Sequence, residues 1–184
     1  MRTALFLLGA LDDDDIDWLI DRGDRQRLPA GSILIQEGVP LVHLFILLDG
    51  ALSVSVEATG GRAIANLLSG DIVGEMSFID TQLPSATVTA TQDSLVLRID
   101  REELAQRLRL DVGFAARFYH ALAISLSTRL RVTVGRLKHL TLPPASDSDF
   151  SFHDLAPDIQ DTVNLAHTRL DWILRRINAE AKAP

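Results

Sequence analysis

Two short runs, Gly70-Asp71-Ile72-Val73-Gly74-Glu75-Met76-Ser77-Phe78-Ile79-Asp80 and Leu83-Pro84-Ser85-Ala86-Thr87-Val88-Thr89-Ala90, read as a strand, a bend and a returning strand. The first strand ends at Gly74-Glu75, one turn of helix follows, and the second strand re-enters behind small residues. Such a layout places backbone N–H groups and one carboxylate around a small concavity, and a helix N-terminus or a nest of N–H groups favours anions. Taken bare, Gly74 and Glu75 read more readily as a turn glycine beside a solvated glutamate.

On both sides of these runs, from about Arg25 to Asp100, the chain is built of short segments rich in Ile, Val, Leu and Thr. They are punctuated by Gly31, Gly38, Gly50, Gly60-Gly61, Gly70 and Gly74, as strands are by turns. Leu52, Val54 and Val56 alternate with Ser53, Ser55 and Glu57, and Ala86, Val88 and Ala90 alternate with Thr87, Thr89 and Thr91. That period of two is expected where one face of a strand is buried. Gly60-Gly61 predicts a hairpin between Ser53–Val56 and Ala63–Ala65. The connections are too short for crossover helices, so the sheet is expected to be antiparallel and to close as a sandwich or roll.

Helical texture flanks this region. Leu7, Leu8 and Leu11 precede Asp12 to Asp15, which read as a cap and first turn ahead of Ile16, Trp18, Leu19 and Ile20. A calcium loop would instead need alternating carboxylates, a glycine and a distal glutamate, a layout these four aspartates lack. Asp100 is expected to cap a short helix, 101–108. Asp111 opens a longer one to about Lys138, along which Val112, Ala115, Tyr119, Leu122, Leu126, Leu130, Val134 and Leu137 form one apolar stripe. Leu142-Pro143-Pro144 begins a linker, and 157–181 reads as a last amphipathic helix carrying Ile159, Val163, Ala166, Leu170, Ile173, Leu174 and Ile177.

The 184 residues amount to one domain and a tail, and at 47% hydrophobic and 23% charged the chain is globular in composition. There is no cysteine, so disulfides, thiolate metal sites and cysteine nucleophiles are excluded. The formal charge of -7 has the wrong sign for non-specific attraction to nucleic acid or anionic lipid. The run after Met1-Arg2 lacks a full basic region and meets the aspartates directly. It is expected to form a helix and not a signal peptide, and no apolar stretch is long enough to span a bilayer. A cytoplasmic protein is expected. His43, His120, His139, His153 and His167 form neither H-x-H nor H-E-x-x-H, and G-x-S-x-G, P-loop and G-x-G-x-x-G motifs are absent. No enzyme and no metal are expected.

Leu28-Pro29-Ala30-Gly31 with Gln36-Glu37-Gly38, the run Leu44 to Val54, Gly70 to Glu75 and Ser85 to Val88 occur in an order and spacing that resemble the cyclic nucleotide-binding domain family. The resemblance covers about residues 5 to 138. It implies a mainly β chain, an eight-stranded antiparallel β-roll of the double-stranded jelly-roll type. N-terminal helices, a short helix and a long C-terminal helix would flank the roll, with a phosphate-binding cassette between the sixth and seventh strands. Together with the linker and the last amphipathic pattern, this divides the chain into an expected domain at 1–140, a linker at 141–155 and a C-terminal helix at 156–184. It assigns ligand contacts to Gly74, Glu75, Met76, Ser85, Ala86 and Val88. Glu75 matches the glutamate on the ribose 2′-hydroxyl and Gly74 the glycine beside the sugar. Ser85 and Ala86 match the hydroxyl and N–H on the cyclic phosphate, and Met76 and Val88 form an apolar wall.

The family's compact cassette carries a phosphate-pairing arginine nine residues after the glutamate, and here that position is Pro84. Glu75 is therefore expected to be unpaired, and Arg62 is the nearest basic residue in the preceding hairpin. What the resemblance implies is a non-enzymatic sensor or regulatory module with cyclic AMP or another cyclic nucleotide as a weak or altered ligand. Such a ligand would draw in the helix around Met76 to Ile79 and move the long helix over the base. The alternative is a ligand-independent interaction or dimerisation scaffold on the same fold. No cofactor, a homodimer through the long helix and an unidentified protein partner are expected, and no membrane, since no apolar stretch is long enough to span one. Nucleic acid is not expected either, because the 46 residues after Lys138, seven acidic and four basic, leave no room for a winged helix. The tail helix folding back over the long helix is the alternative to the dimer.

Overall fold

Leu44 to Leu48 are five apolar residues in succession because β3 (His43–Asp49) is buried on both faces. Its odd residues Phe45 and Leu47 join Leu52, Leu67, Val88 and Val96 in a core between two sheets. Its even residues Leu44, Ile46 and Leu48 join Leu7, Leu8, Ile16, Leu104 and Phe118 in a second core, between the sheet and a helical layer. Side chains alternate faces along a strand, so a strand in the middle layer must be apolar throughout. Each fully buried Leu or Ile of this kind contributes about 1.5–3 kcal/mol.

The computed structural model describes residues 5–141, 165, 166 and 168–176. In chain order the elements are α1 (Leu5–Ala10), α2 (Asp13–Arg22), β1 (Asp24–Leu28), β2 (Ile33–Ile35), β3, β4 (Ala51–Ser55), β5 (Ala63–Leu68), β6 (Ile72–Val73), α3 (Glu75–Asp80), β7 (Thr87–Ala90), β8 (Ser94–Asp100), α4 (Arg101–Leu110) and α5 (Val112–Thr141). Two four-stranded sheets, β1-β8-β3-β6 and β2-β7-β4-β5, are antiparallel throughout. The expected roll with flanking helices is thus the observed architecture. Gly60 and Gly61, both at positive φ, turn the chain between β4 and β5.

The helix starts are local. Asp12 accepts from the Asp15 N–H, and the Asp15 carboxylate accepts from the Asp12 N–H in return, a capping box at the head of α2. Asp100 accepts from the N–H groups of Glu102 and Glu103 at the head of α4. Asp15 is itself buried, and its carboxylate takes a two-pronged contact from Arg117 of α5, at 2.7 and 3.0 Å. Arg107 of α4 lies over the rings of Trp18 and Phe114, so these charges join α2, α4 and α5 at one corner.

The long helix differs from its expected phase. Phe114, Phe118, Ala121, Leu122, Ser125 and Thr128 form the buried face. Of the expected stripe, Leu122 is buried, Ala115 and Leu126 are half-buried, and Val112, Tyr119, Leu130 and Val134 are exposed; the side chain of Leu137 lies outside the described residues. The two faces differ by one residue, about 100° around the helix, and α5 is apolar enough on both to suggest either.

The linker from 142 and the ends of the last helix lie outside the described residues, as do His153, His167, Ile159, Val163 and Ile177. Within 165–176, Ala166, Leu170 and Ile173 are buried in the helical core. Arg169 donates to the carbonyls of Leu8 (2.8 Å), Gly9 (3.2 Å) and Leu11 at the C-terminal end of α1, where a cation suits the unpaired carbonyls and the helix dipole. Arg176 donates to Asp17 and Asp21 of α2. The described part of the tail therefore folds back, as one alternative had it, but onto α1 and α2, and Leu130 and Val134 are exposed.

Candidate functional site

Gly74 stands between β6 and α3 with φ +89°, a left-handed conformation that glycine adopts freely, and a Cβ there would lie 2.6 Å from Leu41 Cδ2. This turn swings the chain so that Glu75, the first residue of α3, points inward. Glu75 is 3% exposed, and Asp71, on the turn that leads into β6, is 1% exposed. The Asp71 carboxylate accepts from the Leu68 N–H at 2.8 Å.

Glu75 is paired, contrary to expectation. Arg129, in the fifth turn of α5, donates through Nη1 to Glu75 Oε1 and through Nη2 to the Ile72 carbonyl, the latter at 2.9 Å. One guanidinium thus grips both sides of the Gly74 turn. Burial pushes the Glu75 carboxyl above its ordinary value. The charge of Arg129 opposes that rise, as do its hydrogen bond and the Glu75 N–H, while the nearby Asp71 charge adds to it.

The remaining assigned residues divide. Ser85 is exposed and Ala86 half-buried at the entry to β7, and among the described residues no hydrogen bond engages the Ser85 hydroxyl or the Ala86 N–H. Val88 is buried in the core between the sheets. Met76, placed by the resemblance in an apolar wall, is 53% exposed. Pro84 is buried, and its carbonyl accepts from the Gly38 N–H at 2.9 Å. Arg62 is exposed beside Gly61. At the other end of α3, Arg101 of α4 donates to the carbonyls of Ser77 and Leu41, each at 2.6 Å, and lies over the Phe78 ring. Phe78 in turn meets Phe118 of α5 edge-on at 6.1 Å. The cassette helix is therefore held by α4 and α5 together.

Arg129 is the site residue that sequence reading missed. The available signal was weak: from Ala121 to Thr128 α5 carries no charge, and Arg129 breaks that run. A hollow of about 310 Å³ among Trp18, Arg22, Glu103, Gln106, Arg107 and Leu110 shares no lining residue with the cassette. Among the described residues no cluster of three or more His, Asp or Glu could hold a metal ion, and no helix is long and apolar enough to cross a membrane.

Comparison with known proteins bears on the same residues. The family model described as the cyclic nucleotide-binding domain matches residues 25–111. An uncharacterized NTE family protein of Mycobacterium tuberculosis (strain ATCC 25618 / H37Rv) is 33% identical over 110 residues, which are 58% of this chain and 18% of that protein. The chain therefore spans less than a fifth of that relative's length. A cyclic nucleotide-binding domain from Methylobacillus flagellatus KT superposes with TM-score 0.68 at 24% identity, over 78% of this chain and 85% of that one. The regulatory domain of Toxoplasma gondii PKA, solved with cAMP, gives TM-score 0.52 at 26% identity, over 55% of this chain and 39% of that one. Strands β2 to β8, all of β1 but Asp24, and the Gly74-Glu75 turn with its cassette helix fall within the matched residues, and over 25–111 this chain matches the model of the cyclic nucleotide-binding domain family.

Proposed function

We propose that the chain is a non-enzymatic cytoplasmic sensor or regulatory module that takes a cyclic nucleotide weakly at the cassette formed by Gly74, Glu75, Ser85 and Ala86. The observation that carries this reading is the buried Glu75 behind a left-handed Gly74, with unengaged donors at Ser85 and Ala86. The cAMP bound to the Toxoplasma PKA domain supports the ligand class. A second reading, a scaffold that needs no ligand, is favoured by one feature: the Glu75 carboxylate already has a partner in Arg129.

Calorimetry separates the two. A guanidinium on the cyclic phosphate contributes about 1.5–3 kcal/mol, so lacking it at position 84 should weaken binding by roughly 10- to 150-fold. Cyclic AMP is expected to bind the unaltered chain in the high-micromolar range or weaker. Pro84→Arg, which keeps the carbonyl that Gly38 uses, should tighten binding at least tenfold, and Glu75→Ala should abolish that gain. An arginine variant that folds yet shows no gain favours the scaffold. Nanomolar binding by the unaltered chain would mean that another cation already serves the phosphate.

A homodimer through the long helix is supported by the face of α5 that stays exposed among the described residues. Tyr119, Leu130 and Val134 are exposed there and Leu126 half-buried, and a two-fold pairing of long helices would bury them. Light scattering at tens of micromolar is expected to give twice the 20.2 kDa of one chain. A mass equal to one chain rejects the dimer.

A further inference from the structure

We propose that the hollow between α2 and α4 is a second ligand site, separate from the cassette, which takes a small carboxylic acid with an aromatic or aliphatic tail. It does not rest on the nucleotide reading, since its lining residues are Trp18 and Arg22 of α2 with Glu103, Gln106, Arg107 and Leu110 of α4. At about 310 Å³ it lies at the lower end of the range for small-molecule pockets.

Helical spacing brings these side chains together. Arg22 follows Trp18 by one turn, and Gln106, Arg107 and Leu110 follow Glu103 by one or two turns, so each set shares one face of its helix. Arg107 is held in place. Its guanidinium carbon lies 5.6 Å from the centre of the Trp18 ring and 5.3 Å from that of Phe114, and its Nη2 meets Asp111 at 3.1 Å. Its Nε is buried without a partner, and among the described residues nothing engages Nη1. The Arg22 guanidinium, the Gln106 amide and the Trp18 indole N–H are likewise unengaged among the described residues. Arg22 and Gln106 are also exposed, so a ligand can reach them.

The donors around the hollow select the ligand. Two guanidinium groups, an amide and an indole N–H face the single carboxylate of Glu103, a local excess of positive charge on a chain whose formal charge is -7. A planar guanidinium matches a carboxylate through two parallel charge-assisted bonds. Glu103 disfavours a second negative charge on the ligand, which favours a carboxylate over a phosphate monoester. The remainder of the ligand meets the half-buried Trp18 ring and Leu110, which is 77% exposed, and a hydrocarbon tail laid across both removes apolar surface from water.

Phenylpropionate is the probe, with phenylpropanol as its uncharged counterpart and phenyl phosphate as its more highly charged one, each added to the full chain. Trp172→Phe leaves Trp18 as the sole tryptophan, so emission from that variant reports on the hollow while calorimetry gives the affinity. Phenylpropionate is expected to bind with a dissociation constant of about 1 mM or tighter and to change Trp18 emission. Arg22→Gln should weaken it roughly tenfold, and Glu103→Gln should tighten it about threefold. Phenylpropanol should bind at least tenfold more weakly and be indifferent to Arg22→Gln. Glu75→Ala, in the cassette, should leave phenylpropionate binding unchanged. Neither heat nor an emission change up to about 20 mM phenylpropionate overturns the inference. So does equal binding of acid and alcohol, the mark of an apolar patch alone, or an affinity that Arg22→Gln does not alter. Tighter binding of phenyl phosphate overturns the ligand class, and loss of binding in Glu75→Ala overturns the separation from the cassette.

Discussion

Phe118→Ala is expected to destabilise the protein by about 3–5 kcal/mol, a large part of the 5–15 kcal/mol that holds a typical domain. The ring is fully buried and lies 5.7 Å from Phe114 and 6.1 Å from Phe78 between centroids. Truncation removes apolar contact and leaves a cavity between α5, α3 and the helical core, which a close-packed interior fills only in part. Phe78 belongs to the cassette helix, so the same change should also loosen α3 against α5. Urea denaturation of the variant measures the first effect and amide exchange along α3 the second. Val112→Ala is the internal control: Val112 is 81% exposed on the same helix, and its loss should stay within about 0.5 kcal/mol. Equal losses from the two substitutions would mean that α5 does not pack in this phase.

Asp15→Ala should cost about 3 kcal/mol, the lower end of what breaking a buried ion pair costs. The substitution strands Arg117, but that side chain is about a third exposed and also contacts Asp12 at 2.8 Å, so water and Asp12 compensate in part. It also removes one half of the capping box of α2. The pH dependence has a definite sign. Burial alone would raise the Asp15 carboxyl, but the hydrogen bonds and charge of Arg117, with the bonds from Asp12, outweigh it, and the carboxyl is held below its ordinary value of 3.8. A carboxyl lowered on folding stabilises the fold fully above its unfolded value and loses that contribution as pH falls through the folded one. The stability gap between the natural protein and Asp15→Ala should therefore be constant near neutrality and shrink in acid below about pH 4. A gap that widens in acid would contradict the assignment.

These two substitutions act at positions of different legibility. Asp15 belongs to a run of aspartates whose capping role is local, three residues from Asp12, and the sequence pattern marks it. Its second role, as the buried partner of Arg117 at a separation of 102 residues, has no local signature. Phe118 fell outside the apolar stripe read along α5, because the residues one step on, from Ala115 through Tyr119 to Leu126, are apolar as well.

By itself the sequence determined what depends on neighbours within a few residues. The alternation in β4 and β7, the paired glycines at Gly60-Gly61, the caps at Asp12 and Asp100 and the strand, bend and strand around Gly74 all follow from periods of two or from contacts two to four residues apart. Local sterics and hydrogen bonds decide such features before any tertiary contact forms. Only the tertiary structure decided which of two apolar faces of α5 meets the roll, since a helix with both faces apolar is turned by the shape of what it packs against. It alone showed that β3 is sandwiched between two cores, that the tail returns to α1 and α2 through Arg169 and Arg176, and that Glu75 takes Arg129 as its counterion. The physical reason is common to all of these. A buried charge or an apolar face must find a partner, but which partner is set by the layers that enclose it, and residues far apart in the chain carry no mark of that meeting.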